Sequence, residues 1–167
     1  MKLIELTVNG LTRQVAAHET ETLVQVLRRE FTTLGVREAC GLGVCGSCTV
    51  LVDGEPRSAC LILAGLADGL ALETVEGLGT IERLHPIQQA FVDRSGFQCS
   101  YCTPGFILAA KALLAENPRP TREEVRESLA GNLCRCGSYT NILDSVLEAA
   151  ERMEAGGDDG AAAEGDA

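Results

Sequence analysis

The chain has 167 residues and a formal net charge of −10. That sign argues against nucleic acid, whose binders carry basic patches, and against an anionic membrane surface. Apolar residues make up 46%, enough for a packed core, but tryptophan is absent and aromatics reach only 4%, a composition suited to small domains that rely on a covalent or metal staple.

The N-terminal MKLIELTVNG reads as a strand and turn rather than a secretory or twin-arginine signal. No apolar run reaches transmembrane length, so no membrane is expected and the cytoplasm is the expected compartment. Leu3 to Val8 alternate, Asn9-Gly10 is a hairpin turn signal, and Leu11 to Ala17 returns. Leu23, Val26, Leu27 and Phe31 at helical spacing predict a helix over Thr22 to Phe31. A Gly/Cys-rich loop runs from Ala39 to Gly46. Strands are expected over Cys48 to Val52, Arg57 to Leu61 and Leu70 to Val75, with a turn at Asp53-Gly54. Hairpin, helix, then strands is a β-grasp order.

From Glu82 the character changes. Helices are expected over Glu82 to Arg94 and Gly105 to Glu116, the latter with Thr103 as N-cap and Pro104 at the first helical position. A capping box of Thr121 and Glu124 opens a helix over Arg122 to Leu129. Asn141 to Met153 is the last. The expected fold class is α+β: a β-grasp domain over residues 1–77, then a small four-helix bundle over residues 78–153, joined near EGLGT (Glu76 to Thr80). The acidic tail over residues 154–167 is expected to be disordered.

Eight cysteines in a reducing compartment point to metal ligation rather than four disulfides. Cys40, Cys45, Cys48 and Cys60 form Cys-x4-Cys-x2-Cys-x11-Cys. The plant-type ferredoxin loop holds a [2Fe–2S] cluster with the same first two spacings and a more distant fourth cysteine. Gly41, Gly43 and Gly46 let such a loop wrap a cluster and aim N–H groups at sulfur. A CxxC zinc or redox pair at Cys45 and Cys48 is the bland alternative. The second set, Cys99, Cys102, Cys134 and Cys136, is CxxC followed at a distance by CxC. Spacing alone leaves a four-cysteine zinc site open there.

Three stretches carry a resemblance: ACGLGVCGSCTVLVDG (Ala39 to Gly54), FQCSYCTPGFILAAKALL (Phe97 to Leu114) and GNLCRCGSY (Gly131 to Tyr139). They resemble the small iron–sulfur subunit of the molybdenum hydroxylases, the family of xanthine oxidase, aldehyde oxidoreductase and aerobic carbon monoxide dehydrogenase. The resemblance runs from about Lys2 to Arg152. It implies a plant-type ferredoxin-like domain and a four-helix domain, each with one [2Fe–2S] cluster on the cysteine sets above. It implies an electron-transfer subunit that relays electrons from a molybdopterin centre on a large partner subunit to FAD on another, or to another acceptor. It also implies that Gln98 and Cys136 approach the pterin. Two segments depart from the family's frequent pattern. Cys-Gly-Phe-Cys is here Cys99-Ser100-Tyr101-Cys102, and Cys-Arg-Cys-Thr-Gly-Tyr is here Cys134-Arg135-Cys136-Gly137-Ser138-Tyr139. These variants resemble the aldehyde and N-heterocycle oxidising branches.

Each remaining polar residue has a plainer reading. Gln98 suits a loop hydrogen bond, Arg135 a solvated charge, and His18 and His85 surface or capping roles. No Ser/His/Asp constellation supports hydrolysis. A free-standing ferredoxin leaves the helical half unexplained. A zinc-stapled interaction module is the rival from another class.

Overall fold

The structure, a computed structural model, describes residues 1–156. Strands β1 (Lys2–Val8) and β2 (Leu11–Ala17) form the first hairpin, followed by α1 (Leu23–Glu30). After the cysteine loop come β3 (Thr49–Val52), β4 (Glu55–Ser58) and β5 (Ala71–Glu73). The sheet order is β2-β1-β5-β3-β4, with β1 parallel to β5 and the other pairs antiparallel. Ile4, Leu6 and Val8 of β1 alternate inward and join Leu23, Val24, Val26 and Leu27 of α1 in one core, as period-2 and helical patterning require. This is the β-grasp arrangement that the hairpin–helix–strand order implies.

Both hairpins turn on residues with positive φ, Asn9 (51°) with Gly10 (80°) and Asp53 (50°) with Gly54 (86°), the two-residue turn that matches strand twist. The second turn corrects one expectation. It pairs Val52 with Glu55 at once, so β4 runs from Glu55 to Ser58 and not from Arg57 to Leu61. Ala59 and Cys60 thereby leave the sheet.

The helical half comprises α2 (Pro86–Asp93), α3 (Thr103–Glu116), α4 (Arg122–Ser128) and α5 (Tyr139–Gly156). Its own core gathers Ile87, Phe91, Phe106, Val125, Ile142 and Val146. The Thr121/Glu124 capping box forms as expected. Several boundaries differ. The helix expected from Glu82 begins at Pro86, because a residue before proline is driven from the helical region and His85 sits at ψ 146°. Cys102, not Thr103, caps α3. The last helix spans Tyr139 to Gly156, started by an Ile142 N–H to Ser138 carbonyl bond. The expected tail from residue 154 therefore begins inside α5, and residues 157–167 lie outside the described residues. The EGLGT join is pinned, not loose: Glu76 accepts from the Gly35 N–H at 2.6 Å, and the Gln88 amide donates to the Val75 carbonyl at 3.1 Å.

His85 fills the capping role, its Nδ1 accepting from the Ile87 N–H at 3.2 Å. Burial, reinforced by the Lys111 charge, holds its pKa below the ordinary 6.5, with Glu73 opposing. The unfolded chain therefore takes the proton first. The cap's stability is fully present above pH 6.5 and is lost as pH falls from there towards the folded value. His85→Asn keeps a capping side chain without a titrating one. It should flatten the fall in thermal midpoint over that window, and an unchanged slope would assign the dependence to another group.

Candidate metal centres

The cysteine loop between α1 and β3 is a run of turns, with Gly41, Gly43 and Gly46 at φ 63°, 71° and 66°. It brings Cys40 beside Cys45, and Cys48 beside Cys60, which lies just past β4. Cys48 and Cys60 are buried, while Cys40 and Cys45 are half-exposed. The second set repeats this plan. Cys102, at the N-terminus of α3, meets Cys134, and both are buried; Cys99 meets Cys136, and both are exposed.

Each set is thus a buried pair behind an outer pair. Four thiolates shared two by two suit a two-iron cluster, whereas a structural zinc needs its four ligands around one ion.

The electrostatics also fit. The Leu42 N–H donates to Cys40 Sγ at 3.3 Å. With the N–H groups of Cys45 and Val44 and the Cys45 thiol, it lowers the Cys40 thiol to about 6. The Tyr101 N–H, with the Cys136 thiol, lowers Cys99. Burial pushes Cys48 and Cys102 up to about 12. Cys134 also feels burial, but the Ser138 N–H, the Cys102 thiol and further loop N–H groups outweigh it and lower its pKa. Of the outer pairs, Cys40 and Cys99 are thereby readied to carry charge. Buried Cys48 and Cys102 yield their protons only to a metal, which couples metal binding to proton release and folding.

The two sites abut. The Leu133 N–H, one residue before Cys134, donates to the Cys45 carbonyl at 2.9 Å. The Asn132 amide donates to the Gly46 carbonyl at 3.1 Å. Gly105 in the first turn of α3 lies so close that a Cβ there would sit 2.1 Å from the Gly46 carbonyl oxygen. Nearby, the Tyr101 hydroxyl donates to the Glu38 carbonyl at 2.9 Å, and the Arg37 guanidinium lies 5.4 Å from the Tyr101 ring centre. Arg37 also donates to the Ser100 carbonyl. Sequence reasoning missed this seam, although small residues at Gly46 and Gly105 were a signal of close approach.

Of the other residues singled out, Gln98 is exposed, with its Nε2 3.5 Å from the Cys136 carbonyl. Arg135 and His18 are exposed. Ser100 holds φ 61°, in the left-handed region, where a non-glycine residue is strained by about 1–2 kcal/mol. Ser100→Gly should relieve most of that, less the entropy of an unfolded glycine. The thermal midpoint should rise by about 2 °C, at roughly 2–4 °C per kcal/mol for a chain of this size. A lower midpoint would mean that the serine side chain makes a compensating contact.

Residues 6–72 match the 2Fe-2S iron-sulfur cluster binding domain, and residues 74–147 match the [2Fe-2S] binding domain. Fold and site together define a protein with two tandem [2Fe–2S]-binding modules. The nicotine 6-hydroxylase small subunit of Paenarthrobacter nicotinovorans is 46% identical over 87% of this chain and 88% of its own length. The quinoline 2-oxidoreductase structure from Pseudomonas putida 86 superposes with a TM-score of 0.88 at 42% identity, covering 93% of this chain and 97% of that one. The aldehyde oxidoreductase of Desulfovibrio desulfuricans ATCC 27774 gives 0.89 at 40% identity over 93% of this chain, but this chain spans only 17% of its length. The chain belongs to the iron–sulfur subunits of the molybdenum hydroxylase family.

Proposed function

We propose that Cys40, Cys45, Cys48 and Cys60 hold one [2Fe–2S] cluster and that Cys99, Cys102, Cys134 and Cys136 hold the other. The first lies in a ferredoxin-like domain over residues 1–77, the second in a helical domain from residue 78 to the end of α5. The two separate apolar cores support that division. Bound clusters supply one-electron carriers, which lets electrons delivered in pairs by a molybdopterin centre leave singly. The observation that carries the reading is the seam itself: the Leu133 N–H to Cys45 carbonyl bond and the Asn132 amide to Gly46 carbonyl bond join the two cysteine loops.

The helical site faces the molybdenum subunit, and Gln98 and Cys136 on its exposed edge are the pterin contacts. The ferredoxin-like site faces the acceptor, a FAD-binding subunit. Exposed apolar side chains beside both loops suit partner surfaces: Leu42, Val44 and Leu61 near the first, Leu133 and Tyr139 near the second. The substrate of the assembled enzyme is an aldehyde or an N-heterocycle, in keeping with the aldehyde and quinoline oxidoreductases and the nicotine hydroxylase that this chain resembles. The complex works in the cytoplasm. No helix among the described residues is long and apolar enough to cross a membrane.

The purified complex should contain about four iron and about four acid-labile sulfides per copy of this chain, together with a larger molybdenum-containing chain. Zinc without visible charge-transfer absorption would overturn the cluster assignment. Full activity as a lone diffusing carrier would favour a free ferredoxin.

A further inference from the structure

Buried hydroxyls almost always find a partner, and those that do not call for a cause. Four side-chain hydroxyls among the described residues are enclosed without one: Thr22, Thr33, Thr103 and Ser138. Two of them lie at the second cysteine set. Thr103 is the bonded neighbour of Cys102, is 9% exposed, and opens α3. Ser138 is 7% exposed, and its backbone N–H donates to Cys134 Sγ at 3.4 Å. Its hydroxyl is therefore no more than one side chain's length from an N–H that already touches that sulfur. Thr103 thus adjoins buried Cys102 in the chain, and Ser138 is tied by its backbone to buried Cys134.

Ser138 also stands where a serine ordinarily caps a helix. Its carbonyl accepts the first bond of α5, from the Ile142 N–H. A capping serine would turn its hydroxyl to accept an amide of the first turn, yet this hydroxyl accepts none. The hydroxyl is left over from the helix beside a row of donors already aimed at the same sulfur. Position 138 is also one of the departures from the frequent Thr-Gly pattern, with Gly137-Ser138 in its place.

We propose that the Thr103 and Ser138 hydroxyls donate hydrogen bonds to the sulfurs of the group held by Cys99, Cys102, Cys134 and Cys136, and so raise its reduction potential relative to the first site. This rests on the cluster assignment above. The physics is charge stabilisation: gaining an electron makes the group more negative, and a donor to sulfur favours that form. No proton is transferred, because the hydroxyl keeps its hydrogen in both redox states. The other two unpartnered buried hydroxyls, Thr22 and Thr33, adjoin none of Cys40, Cys45, Cys48 and Cys60 in sequence, and the Thr49 hydroxyl beside Cys48 is spent on the Gly46 carbonyl. The effect therefore separates the two potentials.

Redox titration of the purified complex, followed by electron paramagnetic resonance of each cluster, tests this. Ser138→Ala and Thr103→Val remove one hydroxyl each. In either variant, the reduced-to-oxidised ratio of the second cluster at a fixed ambient potential should fall several-fold, where tenfold is ~59 mV for a one-electron couple. The first cluster should not move, and Thr103→Ser, which keeps the hydroxyl, should titrate as wild type. Wild-type potentials in both variants, or equal shifts of both clusters, overturn the proposal. Thr103→Val is near-isosteric and stands as the test should Ser138→Ala fail to assemble. Iron analysis separates the two readings: about two irons per wild-type chain would defeat the cluster assignment, whereas a full complement with unmoved potentials would defeat only this inference.

Discussion

Replacing Gly105 with alanine should part the two halves of the molecule at the point where their cysteine sets meet. The added Cβ falls 2.1 Å from the Gly46 carbonyl oxygen and 3.2 Å from the Asn132 amide nitrogen. The first is a backbone atom, and it already accepts the Asn132 amide. It cannot swing aside as a flexible side chain can. Either α3 or the Cys45–Cys48 loop must move, and with it the Leu133 N–H to Cys45 carbonyl bond. Overpacking of this kind costs about 1–3 kcal/mol, and a lost buried hydrogen bond adds roughly 1 kcal/mol. The apparent thermal midpoint should therefore drop by about 4–16 °C, at roughly 2–4 °C per kcal/mol. The magnetic interaction between the two clusters should weaken in the same variant, because it depends on their separation. Wild-type values of both quantities would show that the seam absorbs a methyl group without consequence. The Tyr101 to Glu38 bond and the Lys111–Glu73 ion pair (2.5 Å) also bridge the halves, so the chain should loosen at the seam rather than come apart.

The second large effect concerns the order of the two sites. Serine is nearly isosteric with cysteine but is a harder, more basic ligand, so Cys102→Ser and Cys45→Ser should each distort or empty one site. About half the iron should be lost in either case, starting from the four expected for two clusters. The variants should then diverge when substrate is mixed with the assembled enzyme. With Cys45→Ser, the remaining helical-site cluster should still be reduced by substrate, while delivery to the acceptor stops. With Cys102→Ser, the ferredoxin-like cluster should stay oxidised, and turnover should halt after at most one reductive half-reaction. The opposite pattern would reverse the proposed order, and normal turnover with a site empty would end the relay reading. Co-purification of each variant with its partner is part of the measurement, because losing a cluster also removes folding free energy.

Much of this molecule was legible in the chain alone. Two-residue periodicity in β1, the Asn9-Gly10 and Asp53-Gly54 turns, the amphipathic α1 and the Thr121/Glu124 box are local signals. Local sterics decide them, so reading residues in order suffices. The eight cysteines were legible for a related reason: ligand spacing along a loop is a covalent constraint.

What the chain did not show depends on contacts between residues far apart in sequence. The start of α2 at Pro86 was recoverable in principle from the restriction on His85, but the extension of α5 to Gly156 was not, because polar Glu154 breaks the apolar stripe and is held by an ion pair to Arg119. The division of each cysteine set into a buried and an outer pair follows from how the loops fold over their cores. Spacing left a zinc site open for the second set; the pairing of Cys102 with Cys134 and of Cys99 with Cys136 was visible only once α3 and the loop before α5 were in place. The approach of Gly105 to Gly46 joins residues from opposite halves, and the enclosed hydroxyls of Thr103 and Ser138 are defined by what surrounds them. Sequence determines which groups are available and how the backbone bends locally. Burial and proximity, which set a thiol's charge or a hydroxyl's direction, belong to the packed chain.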